Sequence, residues 1–168
     1  MKPLLAIGCT LAMTLPACAD QPSVQVQPPE LHGSRKLEPQ TASAVVRDYL
    51  ESWEKFRAAL DRNDPAALDP DFVGTARTKL AATIAQQAKM GIHTRYTDQS
   101  HNLQIVFYSP EGLSLQMIDN VEYDEQVLDH DRVLASQHVK TRYVVVLTPA
   151  EVRWKVRIFQ DAPQTAPE

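Results

Sequence analysis

A chain of 168 residues, 43% hydrophobic and 23% charged, with a formal net charge of -4, has room for one globular domain of ordinary size. The acidic balance excludes a nucleic-acid binder that relies on a clustered positive excess. Twelve prolines against five glycines, most of the prolines toward the two ends, exclude a core built from the termini.

The N-terminus reads as an export signal. Lys2 supplies a minimal positive region and Leu4 to Leu15 an apolar run of secretory length, with small residues in Pro16-Ala17-Cys18-Ala19. That run falls short of the ~20 residues that span a bilayer as a permanent helix. Two processing outcomes stand side by side. Ala17-Cys18-Ala19 fits ordinary signal cleavage before Asp20, which predicts a soluble secreted protein. Leu15-Pro16-Ala17-Cys18 resembles the bacterial lipobox, which implies lipidation at Cys18 and a periplasmic or outer-membrane-attached lipoprotein. Residues 1–18 are thus the signal, and the Pro/Gln-rich residues 19–40 are read as a flexible tether. Both cysteines, Cys9 and Cys18, lie in this leader, so the domain has neither a disulfide nor a thiol nucleophile.

From Thr41 the pattern is helical, with Thr41 or Ser43 as N-cap. Val46, Tyr49, Leu50, Trp53, Phe56 and Leu60 form one apolar stripe. Asn63-Asp64-Pro65 stops this helix and opens a short one, capped by Asp64. Thr75 to Met90 reads as a second long helix, with Gly91 at its end. Beyond Gly91 the period changes to two. Leu103, Ile105 and Phe107 share one face of a strand before the Ser109-Pro110-Glu111-Gly112 turn. Leu113, Leu115, Met117, Val121, Tyr123 and Val127 share the inward face of the next. Val133, Ala135, Val139, Tyr143, Val145 and Leu147 follow after Asp129-His130-Asp131, and Val152, Trp154, Val156 and Ile158 make the last alternation. The predicted architecture is α+β: N-terminal helices on a curled four-stranded antiparallel meander, one domain over residues 41–160, with residues 161–168 a disordered tail.

This element order resembles the nuclear transport factor 2-like superfamily of cystatin-like α+β cones. Residue-level support comes from Tyr49-Leu50-x-x-Trp53 and from Val152-Arg153-Trp154-Lys155-Val156. The resemblance implies a partly open cavity between helices and sheet. It leaves the activity open, because the superfamily holds isomerases, dehydratases and non-enzymatic binding or scaffold modules alike.

Asp119 shares parity with Met117 and Val121, so an uninterrupted strand points it inward. Desolvated there, it suits a general base, with Tyr49, Tyr123 or Tyr143 donating to an oxyanion. A bulge at Met117-Ile118 turns it outward instead. Gln137 and Thr141 fall on the inward parity of the third strand. His32, His93, His101, His130 and His138 show no metal-ligand spacing, and Asp129-His130-Asp131 reads as a hairpin turn, so no metal and no cofactor is expected. On the outward parity, Lys140, Arg142, Arg153, Lys155 and Arg157 form a basic cluster. Val106, Tyr108, Ile118, Val144, Val146 and Phe159 form an apolar patch there. That face either docks a protein partner or second copy, or is covered by the chain's own tether or tail. The preferred function is a non-enzymatic exported binding or scaffold module at the cell envelope, acting through the sheet face or a small ligand in the cone cavity. The alternative is a small isomerase- or dehydratase-like pocket enzyme with Asp119 as base.

Overall fold

The computed structural model describes residues 22–30 and 36–162. The signal segment, Cys18 and residues 163–168 of the tail lie outside the described residues. The elements run β1 (Ser23–Val26), α1 (Pro39–Arg62), a 3-10 turn (Pro65–Leu68), α2 (Gly74–Lys89), β2 (His93–Tyr108), β3 (Leu115–Asp129), β4 (Arg132–Pro149) and β5 (Trp154–Ala162).

Helix α1 begins two residues before the expected cap, because Pro39 occupies its first turn, where a missing N–H costs nothing. Its buried residues Val45, Tyr49, Ser52, Trp53, Phe56 and Leu60 recur every three or four positions, so one stripe faces the sheet. The helix stops at Asn63, which takes the left-handed conformation (φ 54) and donates its side-chain amide to the Ile92 carbonyl at 2.9 Å. Asp64 caps the 3-10 turn by accepting from the Ala66 N–H. Helix α2 is fastened to the end of α1 by Gln87, which donates to the Leu60 carbonyl and the Asn63 side chain.

The sheet has five strands in the order β1-β2-β3-β4-β5. The expected four-stranded antiparallel meander is present as β2 to β5. The fifth strand comes from the stretch read as tether: Ser23–Val26 pairs in parallel with Ser100–Leu103, which makes the sheet mixed. Ser-Val-Gln-Val alternates, but over only four exposed residues between prolines, too short a run to mark a strand.

Two bulges and a longer β2 correct the expected facing. β2 starts at His93, ten residues before the apolar run, because its first half is polar. An irregularity between Ile105 and Phe107 turns Tyr108 inward in place of Phe107. Another, between Val146 and Leu147, sets Arg157 as the extra residue of β5, so Phe159 packs inward and Ile158 outward. Val152 and Leu113 lie outside the strands and are exposed. β3 itself runs unbroken against β4 from Leu115 to Val127, so the bulge considered at Met117-Ile118 is absent.

The core sits between the two helices and the inner sheet face. Trp53 is its centre, with the rings of Phe56, Tyr96, Tyr123, Tyr143 and Phe159 at centroid distances of 5.8 to 6.4 Å. These aromatics fill the cone, and the open space lies on the other side of Trp53, between α1 and β1.

Candidate functional site

Because β3 is regular, Asp119 points inward and is fully buried. Its Oδ2 accepts two hydrogen bonds: from the Tyr49 hydroxyl on α1 at 2.6 Å and from His101 Nδ1 on β2 at 2.8 Å. His101 shares parity with Leu103 and Ile105, which carries its ring inside, edge-on to Trp53 at 5.0 Å. Its Nε2 faces Asp98 at 4.0 Å, and Asp98 is paired with Arg57 Nη1 at 3.1 Å. Five side chains thus form one interior chain, Tyr49–Asp119–His101–Asp98–Arg57.

Burial of the His101 imidazole disfavours its charged form. Hydrogen bonding to Asp119 and Asp98, with their charges, outweighs that and raises its pKa to about 9. His101 is therefore a cation at neutral pH, a donor and not a base. Desolvation first, and Asp119 next, hold the Tyr49 hydroxyl well above its ordinary pKa, so it stays protonated and donates. Tyr96, Tyr123 and Tyr143 are likewise shifted upward, chiefly by burial.

Beside this chain lies a cleft of about 950 Å³ between β1 and α1. Val24 and Val26 of β1 and Val46 and Leu50 of α1 make it apolar, while Trp53, Arg57, Asp98 and His101 close one end. Alternation along β1 sorts its residues: Pro22, Val24 and Val26 line this cleft, whereas Ser23 and Gln25 line a polar depression of about 340 Å³ on the other side. Trp53 Nε1, Arg57 Nε and Asp98 Oδ1 are buried and have no hydrogen-bond partner among the described residues. All three belong to cleft-lining side chains.

The predicted site residues divide. Asp119 and Tyr49 meet; Tyr123 does not join them and instead contacts the Tyr143 hydroxyl at 3.4 Å. Asp119 is not part of the cleft wall, so a ligand there does not touch it. Sequence reading weighed His101 only as a metal ligand and passed over Asp98 and Arg57. The signal for His101 was its parity with Leu103 and Ile105; for Asp98 a bulge between Asp98 and Ser100 hid the phase. Among the described residues, no group of His, Cys, Asp or Glu is arranged to hold a metal.

The basic cluster is dispersed. Lys140 is tied to Glu122 at 3.0 Å. Arg153 reaches the helix side, binding buried Asp71 at 2.6 Å and Glu51 at 3.2 Å. Arg157 lies against the start of α2, its Cγ 3.5 Å from where a Cβ on Gly74 would stand. Lys155 and Arg142 sit on the sheet opposite Thr148 and Asn120. The five do not form one face, because the bulge at Arg157 and the position of Arg153 before β5 break the assumed alternation. The outward apolar set shrinks likewise: Tyr108 and Phe159 belong to the core side, while Val106, Ile118, Val144 and Val146 remain and Ile158 joins them.

No family model and no curated protein sequence matches the chain. Solved structures do resemble it in shape. The intermembrane-space region of the chloroplast protein ARC6 superposes with a TM-score of 0.60 at 15% identity, covering 76% of this chain and 98% of that one. A scytalone dehydratase-like protein from Novosphingobium aromaticivorans gives 0.52 at 15% identity, over 78% and 93%. An aromatic ring hydroxylase-like protein from the same organism gives 0.50 at 13% identity, over 72% and 94%. These likenesses show the fold, helices packed on one face of a mixed α+β sheet, as the resemblance to the nuclear transport factor 2-like superfamily implied, and proteins with different named roles share it.

Proposed function

We propose that this chain is a non-enzymatic exported module of the bacterial cell envelope that binds a small, largely apolar ligand with a polar end in the cleft between β1 and α1. One observation carries the reading: a cleft of about 950 Å³ walled by Val24, Val26, Val46 and Leu50 ends at Arg57, Asp98 and His101. An apolar cleft with a few convergent polar side chains at one end suits an apolar ligand with a polar end. The export half rests on the Lys2 to Cys18 signal and its lipobox resemblance, with Cys18 as the anchor.

A small isomerase- or dehydratase-like enzyme with Asp119 as base is the second reading, favoured by the Tyr49–Asp119–His101 chain. Against it, a general base must come within hydrogen-bond reach of the proton it takes. Asp119 is fully buried and its Oδ2 already accepts twice.

The test is a titration of the purified mature chain with the apolar anionic dye 1-anilinonaphthalene-8-sulfonate, following energy transfer from tryptophan. Saturable binding is expected, weakened about tenfold or more by Leu50→Asp, since a charge set on an apolar wall loses at least the ~1.4 kcal/mol of one decade. Val24→Asp, on an exposed residue, gives the same readout if Leu50→Asp unfolds. Absence of saturable binding, or unchanged affinity in folded variants, rejects the cleft as the site.

A further inference from the structure

The two walls of the cleft are held in place very differently. On α1, Val46 and Leu50 share a helix with Val45, Tyr49 and Trp53, which are buried in the core, so that wall moves only if the core unpacks. On β1, Val24 and Val26 belong to a stretch, residues 22–30, whose side chains are all exposed. Val24 keeps 41% of its surface open to solvent and Val26 53%. No apolar side chain anchors that stretch.

Backbone pairing with β2 holds it instead. Ser23–Val26 pairs in parallel with Ser100–Leu103, the Gln27 N–H donates to the Leu103 carbonyl at 2.7 Å, and the Glu30 N–H donates to the Ile105 carbonyl at 3.1 Å. Pro28 and Pro29 have no N–H, so the ladder gains no donor between those two. Among the described residues, Gln27 Nε2 to Asn102 Oδ1, at 3.2 Å, is the one side-chain hydrogen bond from this stretch. Exposed hydrogen bonds without buried apolar surface mark the part of a fold that opens at least cost. Proline also fixes its own φ and biases the residue before it toward extended backbone, so a lifted β1 stays shaped for redocking.

We propose that β1 is a strap governed by the cleft: it lifts from β2 while the cleft is empty and is clasped to the sheet when a ligand fills it. The inference rests on the cleft being the binding site. A ligand between Val46 and Leu50 on one side and Val24 and Val26 on the other covers both exposed valines, and it makes those contacts only while β1 is docked. A ligand that binds the docked state alone shifts the docking equilibrium by a factor of 1 + [L]/Kd, about a hundredfold at 100 Kd of free ligand. The strap lies close to the proposed anchor, since Pro22 stands four residues after Cys18. Occupancy of the cleft thus sets whether the anchored chain joins the body at β1 or only at Leu37, the first buried residue after it among those described.

The experiment is amide hydrogen exchange, followed by NMR, on the mature chain carrying Cys18→Ser. It is run with and without 1-anilinonaphthalene-8-sulfonate at 100 times its Kd. Without dye, the Gln27 and Glu30 amides should exchange about a hundredfold or more faster than the slowest amides of β3, because β1 opens without the rest of the sheet. Saturating dye should slow them about a hundredfold. A disulfide between Gln25→Cys and Asn102→Cys should slow them with no dye present. These residues are paired on the side away from the cleft, with strands about 4.7–4.9 Å apart, within disulfide range. Gln27 and Glu30 amides as slow as those of β3 in the free chain overturn the proposal, as does a lock that leaves their exchange fast. Saturable dye binding with unchanged exchange at Gln27 and Glu30 also overturns it while leaving the cleft as the binding site. Absence of saturable binding removes the cleft reading and the strap with it.

Discussion

His101 concentrates the electrostatics of the interior. Its imidazole is buried, faces two carboxylates and is protonated up to about pH 9, against 6.5 in an unfolded chain. The folded state therefore binds its proton more tightly. Below about pH 6.5 both states carry that proton and the stabilisation is complete. As pH rises through 6.5 the unfolded chain loses it first, so stability declines and the contribution is gone above about 9. At about 1.4 kcal/mol per pKa unit the whole effect is roughly 3 kcal/mol. Urea denaturation of the wild type between pH 6 and 10 should show that decline, and His101→Asn should flatten it; an equal slope in both chains assigns the dependence elsewhere. Tyr49 adds a second donor to the same carboxylate oxygen.

At the scale of elements, Asp48 helps to hold α1 to the far end of the sheet. Asp48 is buried, accepts the Trp154 backbone N–H at 2.8 Å through Oδ2 and pairs with Arg47 through Oδ1. Arg153, one residue earlier, bridges Asp71 and Glu51, so the start of β5 is tied both to α1 and to the loop before α2. Asp48→Ala removes the acceptor and leaves the N–H of Trp154 without its partner. A loss of about 1–3 kcal/mol in urea denaturation is expected, with unchanged helix content. A loss within experimental error would show that the cap is dispensable. Neither contact was legible in the chain itself. Asp48 falls among the charged residues of an amphipathic helix, and nothing in its neighbours distinguishes a solvated carboxylate from one that meets a strand more than a hundred positions away.

For the whole molecule, β1 decides what the cleft is. Its four residues are exposed and add nothing to the core, yet its apolar alternates form one wall of the 950 Å³ space. Deleting the chain through Pro29 should change the unfolding free energy by no more than about 1 kcal/mol while abolishing saturable dye binding, because the described residues it removes are all exposed. A collapse in stability would make β1 an integral strand; intact binding would place the site elsewhere. Lipidation at Cys18 would then join the cleft wall directly to the anchor, since only Ala19 to Gln21 separate that cysteine from Pro22.

Periodicity alone determined the two long helices, their stops at Asn63 and Gly91, and four strands in meander order, because three-to-four and every-second spacings each commit a chain to one kind of buried face. It also placed Tyr49 on the inward stripe, but left Asp119 open between an inward position and an outward one set by a bulge, which the regular β3 register decided. Tertiary structure decided the rest. Bulges between Ile105 and Phe107 and at Arg157 reverse facing without leaving a mark in the alternation, which moved Phe159 into the core and dispersed the basic cluster. The pairing of β1 with β2, and the meeting of His101, Asp98 and Arg57, depend on backbone hydrogen bonds and on side chains from separate elements. Such long-range contacts form only when the whole sheet closes around α1.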